Sequence, residues 1–564
     1  MRSLLALLLF LASAAPSSSQ TIHVDASLTG GANDGSTWDN AFTGPNGLQA
    51  ALAAAVAGDR IFVAEGTYLP TATGARDVSF VIVPDVEMFG GFVGGESDPD
   101  ERPPLGDAPT ILSGDLLGDD GPGFTQRDDN SIHVVFGRMV GQNSVLDGLH
   151  VRGGDANGFG VDAAGGGLAI VSSGVLVQDC VFEDNVGALG GGATVQFAVM
   201  SRFIRCRFSS NRSTVSGGGL FIEFGGGFYD GCVFENNRSG GDAGAVTANF
   251  ASSLLFRNCV VRGNVATSTL GSGGGFKLSN GSQGAFVGCT IVDNEAAIRG
   301  GGIFVSGGPV TITNCIVFGN IAPFTGTQIF GNAPTSHSIV EGGYPGAGNL
   351  DVDPMFVDRV NGDLRLASGS PAIDAGTDQV MDGLGTTNAS GGRRRFDDPA
   401  TPDTGTGPAP VVDIGAFEFT DRIGAVFCPA VANSTGRVGR IDATGSAVVA
   451  QNDVTLVASE LPAGSFGYFL VSRTRTETPL FGGGEGTLCL AAPLGRYRGP
   501  GEIQRTGAAG RIELSIDLSA LPPGVGVSTI EPSTSWSFQA WYRDLAAPSS
   551  ATTNLTDGVR ITFE

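Results

Sequence analysis

The chain is poor in positive charge. Lys277 is its single lysine, and 56 acidic residues outnumber 32 lysine and arginine residues, which gives a formal net charge of −24. Nucleic acids and anionic membranes are bound mainly through clustered basic side chains. The charge balance therefore argues against both as partners.

Other absences exclude further classes of protein. Beyond the first residues no apolar run reaches the length of about 18 residues that a membrane-spanning helix needs, so no transmembrane segment is predicted. The cysteines show no C-x-x-C spacing, and the histidines share no motif; they are His23, His133, His150 and His337. The sequence therefore predicts no metal site of the zinc type and gives no support for a Ser-His-Asp triad.

Glycine, by contrast, is abundant, with 90 residues, and much of it belongs to a repeat of 26 to 30 residues. Each repeat carries a cysteine and, five residues later, an asparagine. The cysteines are Cys180, Cys206, Cys232, Cys259, Cys289 and Cys315, and the asparagines are Asn185, Asn211, Asn237, Asn264, Asn294 and Asn320. A period of this length, recurring this often, indicates a solenoid.

The composition of the repeat identifies the kind of solenoid. Its apolar runs are short and alternating, and Gly, Asn and Asp interrupt them, so helical repeats are excluded. The unit is too short for a four-stranded propeller blade, and it suits one coil of a parallel β-helix with three short strands. No Gly-Lys-Ser/Thr word follows any glycine run, so the runs are predicted to be turns rather than phosphate-binding loops.

The cysteine and asparagine columns are predicted to be structural. Cys180 and Phe182 lie two residues apart, so they share a strand face, and the hydrophobic pattern makes that face the interior. Free cysteine packs as a small buried hydrophobe, so a stack of reduced thiols is predicted, with bridges between neighbouring coils as the alternative. Asparagine repeated at a turn predicts a ladder of side-chain hydrogen bonds along the stack.

The paired words F-x-x-N and G-G-A-[ILVF] resemble the repeats of bacterial polymorphic outer membrane proteins. More broadly they are similar to the right-handed parallel β-helix, pectin-lyase-like superfamily. The words are clear over Gly165–Asn320. This resemblance implies a right-handed parallel β-helix, and it implies a function much less strongly than a fold.

The amino-terminal part reads as an export signal followed by a cap. Arg2, the apolar run Leu4–Leu11 and Ala12–Ala14 have the order of a secretory signal peptide. An amphipathic helix is predicted over Leu48–Val56, ended by Gly58, and a strand over Arg60–Ala64. A helix here would cover the open end of the strand stack.

The carboxy-terminal part changes character twice. From Asn349 the words NLDVDPMFVD, GDLRLASGSPAIDAGTD and VDIGAFEF resemble the signature called choice-of-anchor Q, which follows β-helices of secreted bacterial proteins. Ile423–Glu564 has alternating strands and regular turns, which predict a β-sandwich. Its two cysteines, Cys428 and Cys489, are predicted to form a disulfide because the chain is exported.

The predicted architecture is therefore all-β, a right-handed parallel β-helix with a cap helix, followed by a small β-sandwich. The predicted segments are a signal peptide and linker at 1–20, a cap with early coils at 21–135, the repeat core at 136–348, a terminal cap at 349–420 and the sandwich at 421–564. One irregularity is expected. The interval of 30 residues between Cys259 and Cys289 predicts a surface loop within 265–273.

One outer face of the repeats is a candidate glycan-contact surface. If Leu220 and Ile222 point inward, Phe221 and Glu223 point outward, and the same register exposes Asn249, Lys277 and Phe304. Exposed aromatic rings among amides suit contact with sugars, and an ordinary solvated sheet is the alternative interpretation.

The predicted function is a non-catalytic one, an exported bacterial surface protein that serves as a stalk, an adhesion module or a glycan-contact surface. The alternative is a polysaccharide lyase or glycoside hydrolase, activities that occur in the superfamily which the repeats resemble, and convergent carboxylates on one outer sheet would favour it. No cofactor or metal is predicted. Ca²⁺ remains an option at the acid-rich terminal words, with Asp351, Asp353, Asp358, Asp363, Asp374, Asp378 and Asp382, which are otherwise interpreted as turn residues.

Overall fold

The computed structural model describes residues 19–103, 106–198, 200–251, 253–380, 383–392, 394–396, 398, 401–408, 410–419, 423–445, 447–507, 510–546 and 550–564. The predicted signal peptide lies outside these residues. The chain forms two compact units, called here unit 1 (residues 1–227, 237–241 and 245–251) and unit 2 (residues 228–236, 242–244 and 252–564). No helix among the described residues is long and apolar enough to cross a membrane.

Unit 1 consists of stacked coils whose equivalent strands pair in parallel, in four columns called sheets 1 to 4. Sheet 1 contains Phe42–Thr43, Thr21–Asp25, Arg60–Ala64, Glu87–Phe92, Val145–Asp147, Leu176–Gln178 and Ser201–Ile204. Sheet 2 contains Gly66–Tyr68, Thr110–Ser113, Leu149–Arg152, Val181–Glu183 and Arg207–Ser209. Sheet 3 contains Phe80–Val81, Val135–Arg138, Leu168–Val171, Ala193–Gln196, Leu220–Glu223 and Val246–Asn249, and sheet 4 contains Asp155–Ala156, Val186–Leu189, Arg212–Ser216 and Arg238–Ser239.

Unit 2 likewise consists of strands that pair in parallel in four columns, which carry the same sheet numbers. Sheet 1 contains Gly227–Asp230, Leu254–Arg257, Gly284–Val287, Val310–Thr313 and Thr335–Ser336, and sheet 2 contains Val233–Glu235, Val260–Arg262, Thr290–Val292, Ile316–Phe318 and Ile339–Val340. Sheet 3 contains Phe276–Ser279, Ile303–Val305 and Ile329–Phe330, and sheet 4 contains Val265–Ala266 and Glu295–Ala296. The parallel β-helix predicted from the repeat is therefore confirmed.

The remaining strands are antiparallel. Phe356–Asp358 pairs with Asp363–Leu366 in a hairpin. Beyond it, one sheet contains Ala425–Phe427, Ser550–Thr562, Ser535–Ala546, Phe466–Ser472, Gly495–Arg496 and Gln504–Arg505, and a second contains Arg440–Gly445, Val454–Ser459 and Ile512–Ile516. Arg475–Thr478 pairs with Leu488–Leu490. Side chains of both larger sheets, among them Trp536, Phe538 and Leu456, share one buried core, as in a β-sandwich.

Helix is scarce among the described residues. The α-helix predicted at Leu48–Val56 spans Gly47–Ala54, and it packs against Thr21–Asp25 and Phe42–Thr43. Because these are the end strands of sheet 1, the helix lies where a cap is needed. Short 3₁₀ helices occur at Trp38–Asn40, Pro99–Glu101, Gly160–Ala163, Val449–Gln451 and Phe481–Gly483.

The asparagine column forms a buried ladder in unit 1. Asn185 Nδ2 donates to Asn211 Oδ1 at 3.1 Å, and Asn211 Nδ2 donates to Asn237 Oδ1 at 3.0 Å. The same two oxygens accept the backbone N–H groups of Asn185 and Asn211. Each amide therefore joins one coil to the next through both its side chain and its backbone.

The ladder recurs in unit 2 and is closed there by another amide. Asn264 donates to Asn294 at 2.8 Å and Asn294 to Asn320 at 2.9 Å, each from Nδ2 to Oδ1. Asn320 Nδ2 then donates to Gln328 Oε1 at 2.7 Å. Gln328 thus supplies the acceptor that another coil would have provided.

The glycines that precede the sheet 3 strands pack against the asparagine side chains of the ladder. A Cβ atom on Gly192 would lie 3.0 Å from the side-chain amide of Asn211 and 2.6 Å from the carbonyl oxygen of Gly219. One on Gly167 would lie 2.8 Å from Asn185 Nδ2. These glycines are required because the ladder amides and the next coil occupy the space of a side chain.

The cysteines lie inside the coils. All six repeat cysteines are buried and free, so bridges between coils, the alternative, are wrong for this structure. Burial raises the pKa of the Cys180 thiol, which keeps it protonated. Cys428 and Cys489, the pair predicted to form a disulfide, are bonded to each other.

A buried ionic cluster lies in unit 2, after the hairpin of Phe356–Asp358 and Asp363–Leu366. Arg394 is 1% exposed and pairs with Glu418 at 3.4 Å, and its guanidinium donates to the carbonyl oxygen of Asp413 at 3.0 Å. The Asp413 carboxylate accepts the backbone N–H groups of Asp374 and Phe419. Burial is the main cause that raises the pKa of Asp413 to about 7, and it also raises the pKa of Glu418 well above its ordinary value.

We expect Asn237→Ala to lower the free energy of unfolding by about 1–3 kcal/mol, because the buried N–H donors of Asn211 lose their acceptor. Denaturant titration followed by circular dichroism measures the change. Asn332→Ala removes an exposed asparagine and serves as the control. Equal stability of the two variants would show that the ladder amides contribute nothing.

We expect the contribution of Asp413 to the free energy of unfolding to decrease as pH rises from about 4 to 7. A carboxyl group with a raised folded-state pKa stabilises fully below its unfolded pKa of about 4, and the contribution is lost as pH rises to the folded value. Denaturant titrations across this range, on the natural chain and on Asp413→Asn, measure the slope. The stability difference between the natural chain and the variant should shift in favour of the variant as pH rises, and a constant difference would contradict the role of Asp413.

The irregular interval contains the predicted loop. Residues 267–272 follow the strand Val265–Ala266 without forming another, and Leu270 is 77% exposed. We expect deletion of Ser268–Leu270 to change the melting temperature by only a few degrees, because surface loops absorb length changes at small entropic cost. Thermal melts of the deletion variant test this, and loss of cooperative unfolding would show that the loop is structural.

Candidate functional site

The predicted glycan-contact face is only partly exposed. Phe221 is 1% exposed, so the prediction that it presents an aromatic ring to solvent is wrong. Glu223 and Asn249 are half-buried at the ends of their strands. Gln196 Nε2 donates to Glu223 Oε2 at 3.1 Å.

Phe221 is covered by the turns that precede the strands of sheet 3. A Cβ atom on Gly190 would lie 3.0 Å from the backbone nitrogen of Phe221, one coil along. Similarly, Gly165 lies against Thr194, and the Ser216 hydroxyl bonds to the Thr247 hydroxyl at 2.8 Å. Thr194, Phe221 and Thr247 are therefore packed against neighbouring turns.

In unit 2, Lys277 and Phe304 are half-buried and already have partners. Lys277 Nζ pairs with Asp242 and lies 5.7 Å from the centre of the Phe304 ring. Phe304 stacks on Phe330 with ring centres 5.1 Å apart. The lysine charge is thus directed to Asp242 and the ring rather than to solvent.

The exposed aromatic column lies three residues farther along each coil. Phe197, Phe224 and Phe250 directly follow the last residues of three strands of sheet 3, and we call them the phenylalanine edge. Their rings stack at 5.3 and 4.8 Å between centres, with interplanar angles of 7° and 3°. They are 53%, 48% and 50% exposed.

The backbone at the phenylalanine edge is unfavourable for this residue type. Phe197, Phe224 and Phe250 have φ angles of 54°, 49° and 50°, in the left-handed region. Asparagine tolerates that region and occupies the equivalent place after Phe276–Ser279, at Asn280. Left-handed backbone costs an ordinary residue about 1–2 kcal/mol. Three exposed phenylalanines at such positions are therefore not explained by stability.

The edge combines apolar and polar groups in one strip. Three half-exposed rings offer roughly 300 Å² of apolar surface, taking about 200 Å² for a whole aromatic side chain. The amides and carboxylate of Gln196, Glu223 and Asn249 precede the rings in the chain. Because each ring covers the face of its neighbour, a ligand along the strip meets ring edges with hydrogen-bonding groups beside them.

A single signal in the sequence could have revealed this edge. The words VQF, IEF and ANF place phenylalanine at intervals of 27 and 26 residues, the period of the repeat. Side chains alternate between the two faces only within a strand. The alternation therefore gave no prediction for the side-chain orientation of a residue in the turn that follows.

Four of the terminal acids have turn or ion-pair roles, whereas Asp351 accepts the backbone N–H of Gly342, nine residues earlier, and Asp374 is fully buried. Asp353 and Asp358 accept backbone N–H groups two or three residues ahead, and Asp363 and Asp378 pair with arginines. Asp382 lies outside the described residues. Among the described residues one group of three acids has carboxylate oxygens within 4.8 Å of one another, Asp115, Asp119 and Asp129.

Comparisons with known proteins concern the β-helix. Residues 167–341 match the family model described as right handed beta helix region. No curated protein sequence matches the chain.

Comparison with solved structures matches the chain to pectate lyase Pel9A, at 12% identity and a TM-score of 0.42, covering 72% of this chain and 97% of that one. It also matches the chain to the enzymatically active domain of tailspike protein 2 of bacteriophage CBA120, at 11% identity and a TM-score of 0.18, covering 96% of this chain and 71% of that one. The sequence match at 167–341 identifies the central coils as a right-handed β-helix.

Proposed function

We propose that the protein is an exported extracellular or cell-surface protein that holds a glycan along the phenylalanine edge without cleaving it. The β-helix serves as a rigid stalk, and the edge is the contact surface. The observation that carries this proposal is the exposed stack of Phe197, Phe224 and Phe250 in strained backbone. Strained residues that the surrounding structure maintains are a mark of functional positions.

The size of the edge favours a slender ligand. A stable protein partner buries about 800 Å² on each side. The edge offers roughly 300 Å² of apolar surface, with amide groups beside it. A single polymer chain with C–H groups and hydroxyls fits these dimensions and this mixture of groups.

The three residues that directly precede the rings contain a single carboxylate, which supports the non-catalytic form of the proposal. Hydrolysis of a glycosidic bond requires two carboxyl groups facing the bond. Glu223 is the one carboxylate among Gln196, Glu223 and Asn249, and it already accepts a hydrogen bond from Gln196. Lys277, the other candidate reactive group, is paired with Asp242.

We expect the natural chain to bind a member of a broad polysaccharide panel weakly, and Phe224→Ala to abolish that binding, because its ring is the middle of the strip. Isothermal titration or affinity electrophoresis measures binding. Phe159→Ala removes a ring that is 95% exposed outside the edge, and this control should bind like the natural chain. Phe221→Ala is unsuitable because it would create a cavity.

The same samples are scored for new reducing ends and unsaturated ends, and none is expected. Turnover that disappears in Glu223→Gln would overturn the non-catalytic proposal. Absence of binding across the panel, or binding that Phe224→Ala leaves unchanged, would remove the glycan role of the edge.

A further inference from the structure

A second surface feature of unit 1 has no part in the phenylalanine edge. The long connection of residues 114–130 follows the strand Thr110–Ser113 and encloses a cleft of about 470 Å³. This volume lies within the range of small-molecule sites. The charged and aromatic groups that line the cleft are Asp115, Asp120, Phe124, Arg127, Arg152 and Asp184.

Two of the three carboxylates are occupied by the protein itself. Asp115 accepts the backbone N–H groups of Gly118, Asp119 and Asp120 at 2.7, 3.1 and 3.2 Å. Asp120 Oδ2 is 3.1 Å from the Arg127 guanidinium and accepts a bond from Asn130 at 3.0 Å. Convergent carboxylates would favour a hydrolase, but these two hold the loop in place, so the cleft lacks a free pair.

Asp184 and Arg152 are the groups without partners. They lie at the ends of adjacent strands of sheet 2, where Arg152 pairs in register with Glu183. Among the described residues neither side chain has a hydrogen bond or an ion pair within 4.0 Å. The Arg152 charge still acts on Asp184, so the two charges are close but do not touch.

Two residues that line the cleft, Arg127 and Asp120, each have a buried polar atom without a hydrogen-bond partner. Arg127 has a side chain only 10% exposed, and its Nε atom is buried without an acceptor. Asp120 Oδ1 is likewise buried without a donor. Both atoms are enclosed by protein, although their residues line the cleft. The unpaired charges that a ligand in the cleft can reach are therefore those of the exposed residues Arg152 and Asp184.

The wall of the cleft is aromatic and is held in place by charge. The Arg127 and Arg212 guanidinium groups lie 4.8 and 5.4 Å from the centre of the Phe124 ring. Phe124 and Gln126 have φ angles of 67° and 60°, so the connection bends sharply at this wall. Two cation–π contacts of this kind fix the ring that borders the ligand space.

We propose that this cleft binds a small zwitterion that carries both an ammonium group and a carboxylate, with free α-amino acids as the simplest class. The ammonium group pairs with Asp184, and the carboxylate pairs with Arg152. A purely anionic ligand would meet Asp184 and a chain of net charge −24, and a purely cationic one would leave Arg152 unpaired.

The carboxyl group of Asp184 is suited to this role. Loss of surrounding water is the first cause that raises its pKa, and the Glu183 charge is the second. The positive charge of an ammonium group placed beside it would stabilise the carboxylate and so offset both effects. A ligand that carries an ammonium group gains this attraction to Asp184 when it binds, and a ligand without one does not.

The test uses the full chain and the twenty common amino acids as probes, first by thermal shift and then by isothermal titration of the best probe. We expect at least one to bind, and both Asp184→Asn and Arg152→Gln to weaken its affinity about tenfold or more, as expected for loss of a charge-assisted hydrogen bond. Asp107→Asn and Arg138→Gln change exposed charges outside the cleft and should bind like the natural chain.

Two analogues of the best probe, one without its amino group and one without its carboxylate, complete the test. Each should bind about tenfold more weakly or worse than the zwitterion. Equal binding of either analogue, equal binding by the cleft variants, or no binding by any amino acid would overturn the proposal. Because glycan binding at the phenylalanine edge is measured with different probes and variants, failure here leaves that proposal intact.

Discussion

The amide-to-amide hydrogen bond along the coils is the contact on which the rest of the structure depends. Within each unit a buried asparagine oxygen accepts both the side-chain and the backbone N–H of the preceding asparagine, as Asn237 does for Asn211 and Asn294 does for Asn264. A one-residue slip would break both bonds and turn every strand residue to the opposite face. The glycine words follow from the same constraint, because Gly192 has no room for a Cβ beside the Asn211 amide. The asparagine hydrogen bonds thus fix the strand register, require glycine at the positions beside the amides, and determine which side chains form the core.

A fixed register determines where exposed side chains can stand. Outward positions early in the sheet 3 strands are covered by the turns of neighbouring coils, as Phe221 is. The positions directly after the strands are not covered, and there identical side chains stack at the coil spacing, as Phe224 and Phe250 do at 4.8 Å. The favourable free energy of ring stacking offsets part of the cost of exposing the rings and of left-handed backbone, but not all of it. The phenylalanine edge therefore lies at the place where the fold leaves a periodic side chain accessible.

The fold was predictable from the sequence because its information is periodic. Cysteine and asparagine five residues apart, repeated at a nearly constant interval, defined the coil and its inward face. The cap helix was predicted to within two residues, and the extra residues after Asn264 were placed in the correct loop. The exposure of Phe221 was predicted wrongly for a physical reason. Alternation says which side of a strand a residue occupies, and it contains nothing about which neighbouring turn covers that side.

The cleft was beyond the reach of the same reasoning because it arises from the part of the chain that does not repeat. Asp115 and Asp184 lie far apart in the sequence, and both line one cleft formed by the connection of residues 114–130 and the ends of strands of sheet 2. A solenoid has few other ways to make a concave site, since its coils are convex and its interior is filled. Periodic columns can provide long, shallow strips, and only an inserted connection can provide depth. The two proposed binding surfaces differ in this way: the edge suits a polymer that follows the repeat, and the cleft suits a compact ligand with separated charges.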